Sequence, residues 1–333
     1  MQLDTRYLGL DLANPLIASA SPLTREVDDI RRLEDAGAAA VVMASIYEEE
    51  ILADDSAYAW LSEQGAHMQP EAEGYFPELP AYAGGLEGRL ETLRRAVEAV
   101  HIPVIASLNG STHEGWVEFA RELESAGAAA IELNLYRVPA DPAETGEEVE
   151  RLYVDIVRTV RQVVKIPVAV KLGPWFSSPG NMVLRLVEAG ANGAVLFNRF
   201  YESDIDLVTL QPQSDLQLSS AHEIRLPLMW ISLLAGKVKA SLAATSGVNS
   251  CEEVVKYLLA GADVVMTTSS LLRHGPGHLR HILAGVEEWL ASRGFASLGE
   301  ARGKLSASRL ADPEALVRAQ YVKILTGYQI RAR

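Results

Sequence analysis

The sequence predicts a single (β/α)8 TIM barrel, an α/β fold in which eight parallel strands form a closed cylinder inside a ring of helices. The first observation is a repeated phrase built on Ala-Gly-Ala, which occurs at residues 36–38, 126–128, 189–191 and 260–262. Each copy ends an amphipathic helical pattern with a glycine suited to the position just after a helix. The second observation is that the strand after each copy is apolar on both faces, as in parallel strands covered by helices.

Eight short apolar strands can be counted along the chain. They begin near residues 15, 41, 103, 130, 167, 193, 239 and 262. Helical patterns follow nearly all of them, for example over residues 87–100, 115–126 and 251–259. Eight such units favour a closed barrel over a doubly wound sheet, which typically has five or six strands and a G-x-G-x-x-G after the first.

The whole chain, residues 1–333, is therefore predicted to be one barrel domain. Long loops follow strands 2, 4 and 6, over about residues 47–86, 136–146 and 199–237. All three leave the carboxyl ends of strands, the active-site face of such a barrel, so we expect at least one to cover a substrate. Decoration or subunit contacts are the alternative, and the acidic run at residues 48–50 is interpreted as a solvated surface. The tail at 312–333 is expected to be a helix packed outside the barrel.

Composition excludes several classes of partner. A net charge of −14 argues against nucleic acid, whose phosphates bind clustered Lys and Arg. Cys251 is the single cysteine, so no internal disulfide forms. The start shows no signal-peptide pattern, no apolar run is long enough to span a membrane, and the seven histidines show no metal spacing. We expect a cytoplasmic protein that binds no membrane and no metal.

Polar residues stand at the carboxyl end of every predicted strand. They are Ser19, Ser21, Ser45, Asn109, Asn134, Lys171, Asn198, Thr245, Ser246, Gly247, Thr267, Thr268 and Ser269. Any one of them is explained by capping or loop structure, but strand ends of a barrel line a single pocket. Their recurrence on all eight strands predicts a polar binding site.

Lys171 differs from its strand neighbours, which are all apolar. A buried lysine is costly unless it is paired or functional. Lys171 is thus a candidate for a Schiff base with a carbonyl substrate, or for a fixed positive charge beside an anionic cofactor. A lysine that extends along the barrel rim to solvent is the structural alternative.

The turns after strands 7 and 8 are rich in small and hydroxyl residues, at residues 245–248 and 267–270. These loops are the usual phosphate site of a barrel, because small residues expose backbone N–H groups to the anion. A phosphate site, a strand-end lysine and several asparagines together suit flavin mononucleotide (FMN).

The chain resembles the dihydroorotate dehydrogenase family, especially its class 1 branch, and is similar to the flavin barrel of dihydropyrimidine dehydrogenases. The matching segments are residues 13–19, 132–135, 170–174, 197–198, 245–248 and 260–263. The resemblance implies FMN bound by Ser19, the Ala20 backbone, Ser45, Asn109, Asn134, Lys171 and Asn198, with its phosphate held near Gly247, Thr267 and Thr268. It also suggests pyrimidine metabolism and a homodimer.

Two positions depart from the family pattern. After strand 4, class 1 of the family has Asn-Leu-Ser-Cys-Pro-Asn. The Cys of this motif, or a Ser in class 2, is the base that removes a proton from dihydroorotate. Residues 134–139 here read Asn-Leu-Tyr-Arg-Val-Pro, and Ala44 replaces a lysine before Ser45. We therefore predict an FMN-dependent oxidoreductase that acts on a CH–CH group of a substrate other than dihydroorotate.

On this hypothesis Tyr136 and Arg137 face the flavin, with Tyr136 as a candidate acid or base. Arg137, Arg199 or Arg225 is a candidate clamp for a substrate carboxylate, and Asn134 and Asn198 orient the substrate. Loop packing is the alternative for Tyr136 and Arg137.

Three other functions stay open. One is ordinary dihydroorotate oxidation with a base from another loop. Another is a non-catalytic flavin-binding subunit that serves a redox partner protein. The last is a flavin-free lyase that uses Lys171 as a Schiff base.

Overall fold

The computed structural model describes residues 1–53, 85–199, 204–213, 216–309 and 313–327. The strands, in chain order, are β1 (Thr5–Tyr7), β2 (Leu10–Leu12), β3 (Leu16–Ala18), β4 (Ala40–Val42), β5 (Ile46–Tyr47), β6 (Val104–Asn109), β7 (Ala130–Leu135), β8 (Val168–Leu172), β9 (Gly193–Leu196), β10 (Asp204–Asp206), β11 (Gln211–Gln213), β12 (Ser241–Ala244) and β13 (Val264–Thr267).

Most of the barrel strands are followed by a helix on the outside. The α-helices are α1 (Val27–Asp35), α2 (Gly85–Ala99), α3 (His113–Ser125), α4 (Gly146–Val163), α5 (Pro179–Glu188), α6 (Arg225–Leu234), α7 (Cys251–Ala260), α8 (Ser269–His274), α9 (His278–Ser292), α10 (Leu298–Ala301) and α11 (Pro313–Thr326). Short 3-10 helices occur at Pro22–Thr24, Ala221–Ile224 and Ala307–Arg309.

Eight parallel strands close into a cylinder in the order β3-β4-β6-β7-β8-β9-β12-β13. The closing pair joins the first and the last of them, with Val265 beside Leu16 and Thr267 beside Ala18. The (β/α)8 barrel is therefore confirmed. Each barrel strand begins within two residues of its predicted start.

The repeated Ala-Gly-Ala phrase acts as a helix stop. Its four glycines, Gly37, Gly127, Gly190 and Gly261, all have a positive φ, between 95° and 118°. Glycine alone adopts this conformation without strain, so the helix ends there and the chain turns into the next strand.

The barrel interior is filled by small and branched side chains, with a hairpin beneath them. Tyr7 on the antiparallel hairpin β1–β2 is fully buried, and it belongs to the same cluster as Ala40, Ala130, Ala169 and Ala243 on the strands. The small alanines leave room for the tyrosine ring, so the hairpin closes the amino end of the barrel.

Two predicted loops differ from a plain connection. The segment predicted as a loop at 199–237 contains the short hairpin β10–β11 and the helix α6, whose Ile231 and Leu234 are buried. Its Pro227 lies in the first turn, where proline is tolerated, which hid the helix in the sequence. Residues 54–84 of the predicted loop at 47–86 lie outside the described residues.

The tail forms α11, as expected, although much of its surface is exposed.

Candidate active site

The carboxyl ends of the strands bring most of the predicted residues into one pocket. Its lining includes Ser19, Ala20, Lys171, Asn198, Arg199, Thr245, Ser246, Gly247, Thr267, Thr268 and Ser269. These residues come from five different strand ends, which explains why the sequence separates them by up to 250 positions. The arrangement is that of a barrel active site.

Three other predicted polar residues, Asn134, Ser45 and Asn109, are not among the residues that line this pocket. Asn134 is buried, and its Oδ1 accepts a hydrogen bond of 2.6 Å from Nδ2 of Asn198. The hydroxyl of Ser45 shares a 2.7 Å hydrogen bond with that of Ser107 on β6. Asn109 lines a second pocket on the β6–β7 side, which is described below.

The turn after β12 requires glycine. Ser246 and Gly247 have φ values of 79° and 73°, in the left-handed region. A Cβ on Gly247 would lie 2.7 Å from Cγ2 of Ile224 and 2.8 Å from the carbonyl oxygen of Ser220. Backbone therefore packs directly against this turn, and any larger residue would push the two segments apart.

Buried side chains hold the two turns from behind. The hydroxyl of Tyr257 on α7 donates to the carbonyl oxygens of Ser246 at 2.9 Å and Thr245 at 3.2 Å. Burial raises the pKa of Tyr257, and the charges of nearby glutamates raise it further, so the phenol stays a neutral donor. Thr267 donates to the carbonyl oxygen of Val248 at 3.1 Å. The turns are thus preorganised, with their outer surfaces directed to the pocket.

Sequence reasoning missed two residues that complete this wall. The hydroxyl of Ser219 donates to that of Ser269 at 2.9 Å, and it accepts the N–H of Gly247 at 3.3 Å. Arg273 on α8 donates to the carbonyl oxygens of Leu218 and Ser219, both at 2.9 Å. No local pattern connects segments about 50 residues apart, so the sequence contains no signal for these contacts.

Lys171 lies at the floor of the pocket beside Glu132, which the sequence analysis did not single out. Its Nζ is 3.6 Å from Oε1 of Glu132, and the side chains are 11% and 1% exposed. Burial raises the pKa of the Glu132 carboxyl, and the charge of Lys171 opposes that shift. One signal could have found Glu132: it is two residues before Asn134 on a strand, so both side chains point into the barrel.

Tyr136 and Arg137 lie at the second pocket rather than at the pocket of Lys171. That pocket is between β6, β7 and the helices α3 and α4, and it is also lined by Asn109, Trp116 and Tyr153. The guanidinium of Arg137 forms an ion pair with Glu144. Burial raises the pKa of Tyr153, which a backbone hydrogen bond with Arg137 partly offsets.

The two other candidate carboxylate clamps differ in their surroundings. Arg199 lines the first pocket, where its Nε lies 2.9 Å from Oε2 of Glu223. Arg225 begins α6, and its side chain is exposed. Of the three candidate arginines, Arg199 is therefore the one that lines the same pocket as Lys171, although its charge is already compensated by Glu223.

Glu48 corrects the interpretation of the acidic run as a solvated surface. It is 5% exposed, and its carboxylate accepts hydrogen bonds from the backbone N–H groups and the hydroxyls of Ser111 and Thr112. A Cβ at Gly115 would overlap this carboxylate. Burial alone would raise the pKa of Glu48, but the hydrogen bonds from Thr112 and Ser111 outweigh it and lower the pKa.

The pocket draws on five strand ends of the barrel and has a hydroxyl-rich turn after each of the last two strands, an arrangement typical of barrel enzymes that bind phosphate groups. Among the described residues, no group of three potential ligands could hold a metal ion, and no helix is long and apolar enough to cross a membrane.

Comparison with known proteins narrows this class. The family model described as dihydroorotate dehydrogenase matches residues 81–290, more than half of the chain. The chain is 29% identical over 312 residues to an Aeropyrum pernix protein named "Putative dihydroorotate dehydrogenase A (fumarate)", covering 91% of this chain and 97% of that protein. The Pyrococcus abyssi and Pyrococcus furiosus proteins named "Dihydroorotate dehydrogenase B (NAD(+)), catalytic subunit" are 26% and 27% identical, and each alignment covers at least 90% of both chains. The chain belongs to the dihydroorotate dehydrogenase family, a family of oxidoreductases.

Proposed function

We propose that this protein is an FMN-dependent oxidoreductase that acts on a CH–CH group of a small substrate other than dihydroorotate. The observation that carries the cofactor assignment is the donor set of one pocket. Lys171 lies at its floor, and the turns at residues 245–248 and 267–269 lie at its wall. A cation and a preorganised hydroxyl-rich wall fit the two anionic parts of FMN, the reduced ring and the phosphate.

The residues would divide the cofactor between them. The turns that contain Gly247, Thr267 and Thr268 would hold the phosphate, and Asn134 and Asn198 would bind the polar edge of the ring. When bound, FMN supplies the hydride acceptor that the protein side chains lack. Lys171 would stabilise negative charge on the ring, and the hydrogen bond between Asn198 and Asn134 would fix the orientation of both amides.

The substrate assignment rests on residues 136 and 137. Where the family has Ser-Cys, this chain has Tyr136 and Arg137, and both line a pocket with Asn109. A phenol hydroxyl can exchange a proton with a bound substrate, so Tyr136 is the candidate acid or base of this pocket. If Tyr136→Phe still binds FMN but no longer turns over the true substrate, the result would support Tyr136 as the acid or base.

An anaerobic spectrum tests both parts of the proposal. The purified protein, reconstituted with FMN, should show flavin absorption between 300 and 550 nm, and the flavin should stay oxidised when dihydroorotate is added. Bleaching by dihydroorotate would instead establish the second candidate, ordinary dihydroorotate oxidation, which the names of the relatives favour. No bound FMN would reject the proposal, and borohydride trapping on Lys171 would then test the lyase.

Assembly is a separate expectation. The family resemblance favours a homodimer, and a redox partner protein would be needed if the substrate pocket were inactive. Light scattering of the FMN-loaded protein gives the oligomeric state directly.

A further inference from the structure

Glu132 and Lys171 form an ion pair inside the barrel. They lie on the neighbouring strands β7 and β8, where the register places Glu132 beside Ala169 and Asn134 beside Lys171. Both side chains point inward, and Nζ and Oε1 are 3.6 Å apart. With the Glu132 side chain 1% exposed and the Lys171 side chain 11% exposed, water screens this pair little.

The carboxylate of Glu132 depends on Lys171 for compensation. No described residue donates a hydrogen bond to either of its oxygens. Burial raises the pKa of the carboxyl, and Lys171 is the charge that opposes this. An ionised carboxylate without donors is strongly disfavoured in a dry interior. Any negative charge that competes for Lys171 therefore acts directly on the proton affinity of Glu132.

The elements packed around Glu132 offer few other ionisable groups. On β6, Ser107 lies beside it and is hydrogen-bonded to Ser45; on β8, its neighbour is Ala169. Beneath it, the buried hydroxyl of Tyr7 has no hydrogen-bond partner among the described residues. Burial and then the charge of Glu132 raise the pKa of Tyr7 well above its usual value. The phenol therefore stays neutral and does not compensate the charge of Glu132.

We propose that Glu132 is a positioning residue that takes up a proton when negative charge is placed against Lys171 in the pocket. With the carboxylate ionised, the pair is neutral and the ammonium is held near the barrel axis. With the carboxyl protonated, the full positive charge of Lys171 faces the pocket. The proton comes from solvent and forms an O–H bond on Glu132, and no electrons move in this step. The inference rests on the proposed function, since FMN would place negative charge there when it is reduced.

The proposed role of Glu132 is tested by counting the protons that the FMN-loaded protein binds when it is reduced. The FMN-loaded protein is titrated with dithionite, which supplies the two electrons, and the midpoint potential is followed from pH 6 to pH 9. The slope against pH gives the protons bound per two electrons. We expect the wild type to bind about one proton more than Glu132→Gln, because the amide cannot be protonated. A merely structural role would change the potential without changing the slope.

A second buried carboxylate provides the control. Glu48 is 5% exposed but receives four hydrogen bonds, so Glu48→Gln should keep the wild-type slope. Should Glu132→Gln not fold, an infrared difference spectrum of wild type with ¹³C-labelled glutamate replaces it. There, a protonated carboxyl band should appear on reduction and shift with the label.

The outcomes separate the two proposals. Equal slopes in wild type and Glu132→Gln, or an infrared spectrum without a carboxyl band, would overturn this inference and leave the FMN assignment intact. A wild type that binds no FMN would overturn the proposed function and, with it, this inference.

Discussion

The two sides of the barrel mouth are built differently. On the side of β12 and β13, buried groups such as Tyr257 and Thr267 hold the pocket wall through hydrogen bonds to backbone carbonyl groups. On the side of β6 and β7, the pocket is bordered by the half-exposed Arg137 and its partner Glu144. The first side contains the predicted phosphate turn at residues 245–248, and the second contains residues 136–139, where the sequence analysis expects a departure from the family pattern.

This difference indicates where the fold tolerates change. A wall whose backbone is packed against other backbone cannot accept new side chains without moving its neighbours. A loop bordered by a partly exposed ion pair can accept new side chains, because such a pair contributes little to stability. Cofactor binding would therefore persist on the first side while the substrate changes on the second.

The largest expected effect comes from removing the cation between the two sides. Lys171→Met should lower the free energy of unfolding by about 3–5 kcal/mol at pH 8, because the buried Glu132 must then stay charged without a partner or bind a proton that the unfolded chain does not bind. The folded-state pKa of Glu132 is raised, so its ionised form destabilises the fold as the pH rises through that pKa. The loss should shrink toward pH 5, as measured by urea unfolding.

The double variant Lys171→Met with Glu132→Gln provides the control for this prediction. It should recover much of the loss at pH 8, because no charge then remains buried. A loss that is equal at both pH values would show that the pair is not the cause.

The next largest effect is expected on the β12 side. Gly247→Ala should weaken FMN binding by about tenfold or more and destabilise the fold by about 1–3 kcal/mol, since its Cβ would strike Ile224 and Ser220. Gly294→Ala is matched to it, with the same φ of 73° and no atom within 4 Å of the added Cβ. Equal FMN affinity in the two variants, measured by fluorescence titration, would contradict the packing argument.

On the β6 side, Glu48→Gln should lower the stability of the fold and leave the affinity for FMN unchanged. It loses charge-assisted hydrogen bonds from Ser111 and Thr112, which should cost about 2 kcal/mol at pH 7. The pKa of Glu48 is lowered, so its stabilisation is present above its unfolded-state pKa and is lost as the pH falls through the folded one. The difference from wild type should thus narrow at acidic pH in chemical unfolding. A constant difference would mean that the carboxylate charge is irrelevant.

The smallest effects are expected when either of two buried tyrosines is replaced by phenylalanine. Tyr257→Phe removes two hydrogen bonds to the turn after β12, so FMN affinity should fall a few-fold and stability by about 1 kcal/mol. Tyr153→Phe, on the other side of the mouth, should leave FMN affinity unchanged. If both variants weakened FMN equally, the division of the mouth into two sides would be wrong.

Local patterns made the fold and part of the site predictable. The repeated glycine stops and apolar strands place all eight barrel strands, and strand ends of a barrel share one pocket whatever their distance in sequence. The contacts that the sequence did not predict join residues that are far apart in the chain. Glu48 looked like one of three surface acids, and nothing near it in sequence shows that Ser111 and Thr112 would surround it. Arg273 and Ser219 meet only after the barrel closes.

Pairing of the first and last barrel strands has a consequence for biosynthesis. The N–H of Ser19 donates to the carbonyl oxygen of Thr267 at 3.1 Å, so one edge of the pocket needs both the first and the last barrel strand. Ribosomes add about 5–20 residues per second, so Ser19 precedes Thr267 by roughly 10–50 seconds. During that interval the nascent β3 has no β13 beside it. The pocket is therefore completed only after Thr267 has been synthesised, and a bound flavin would meet its finished wall only from then on.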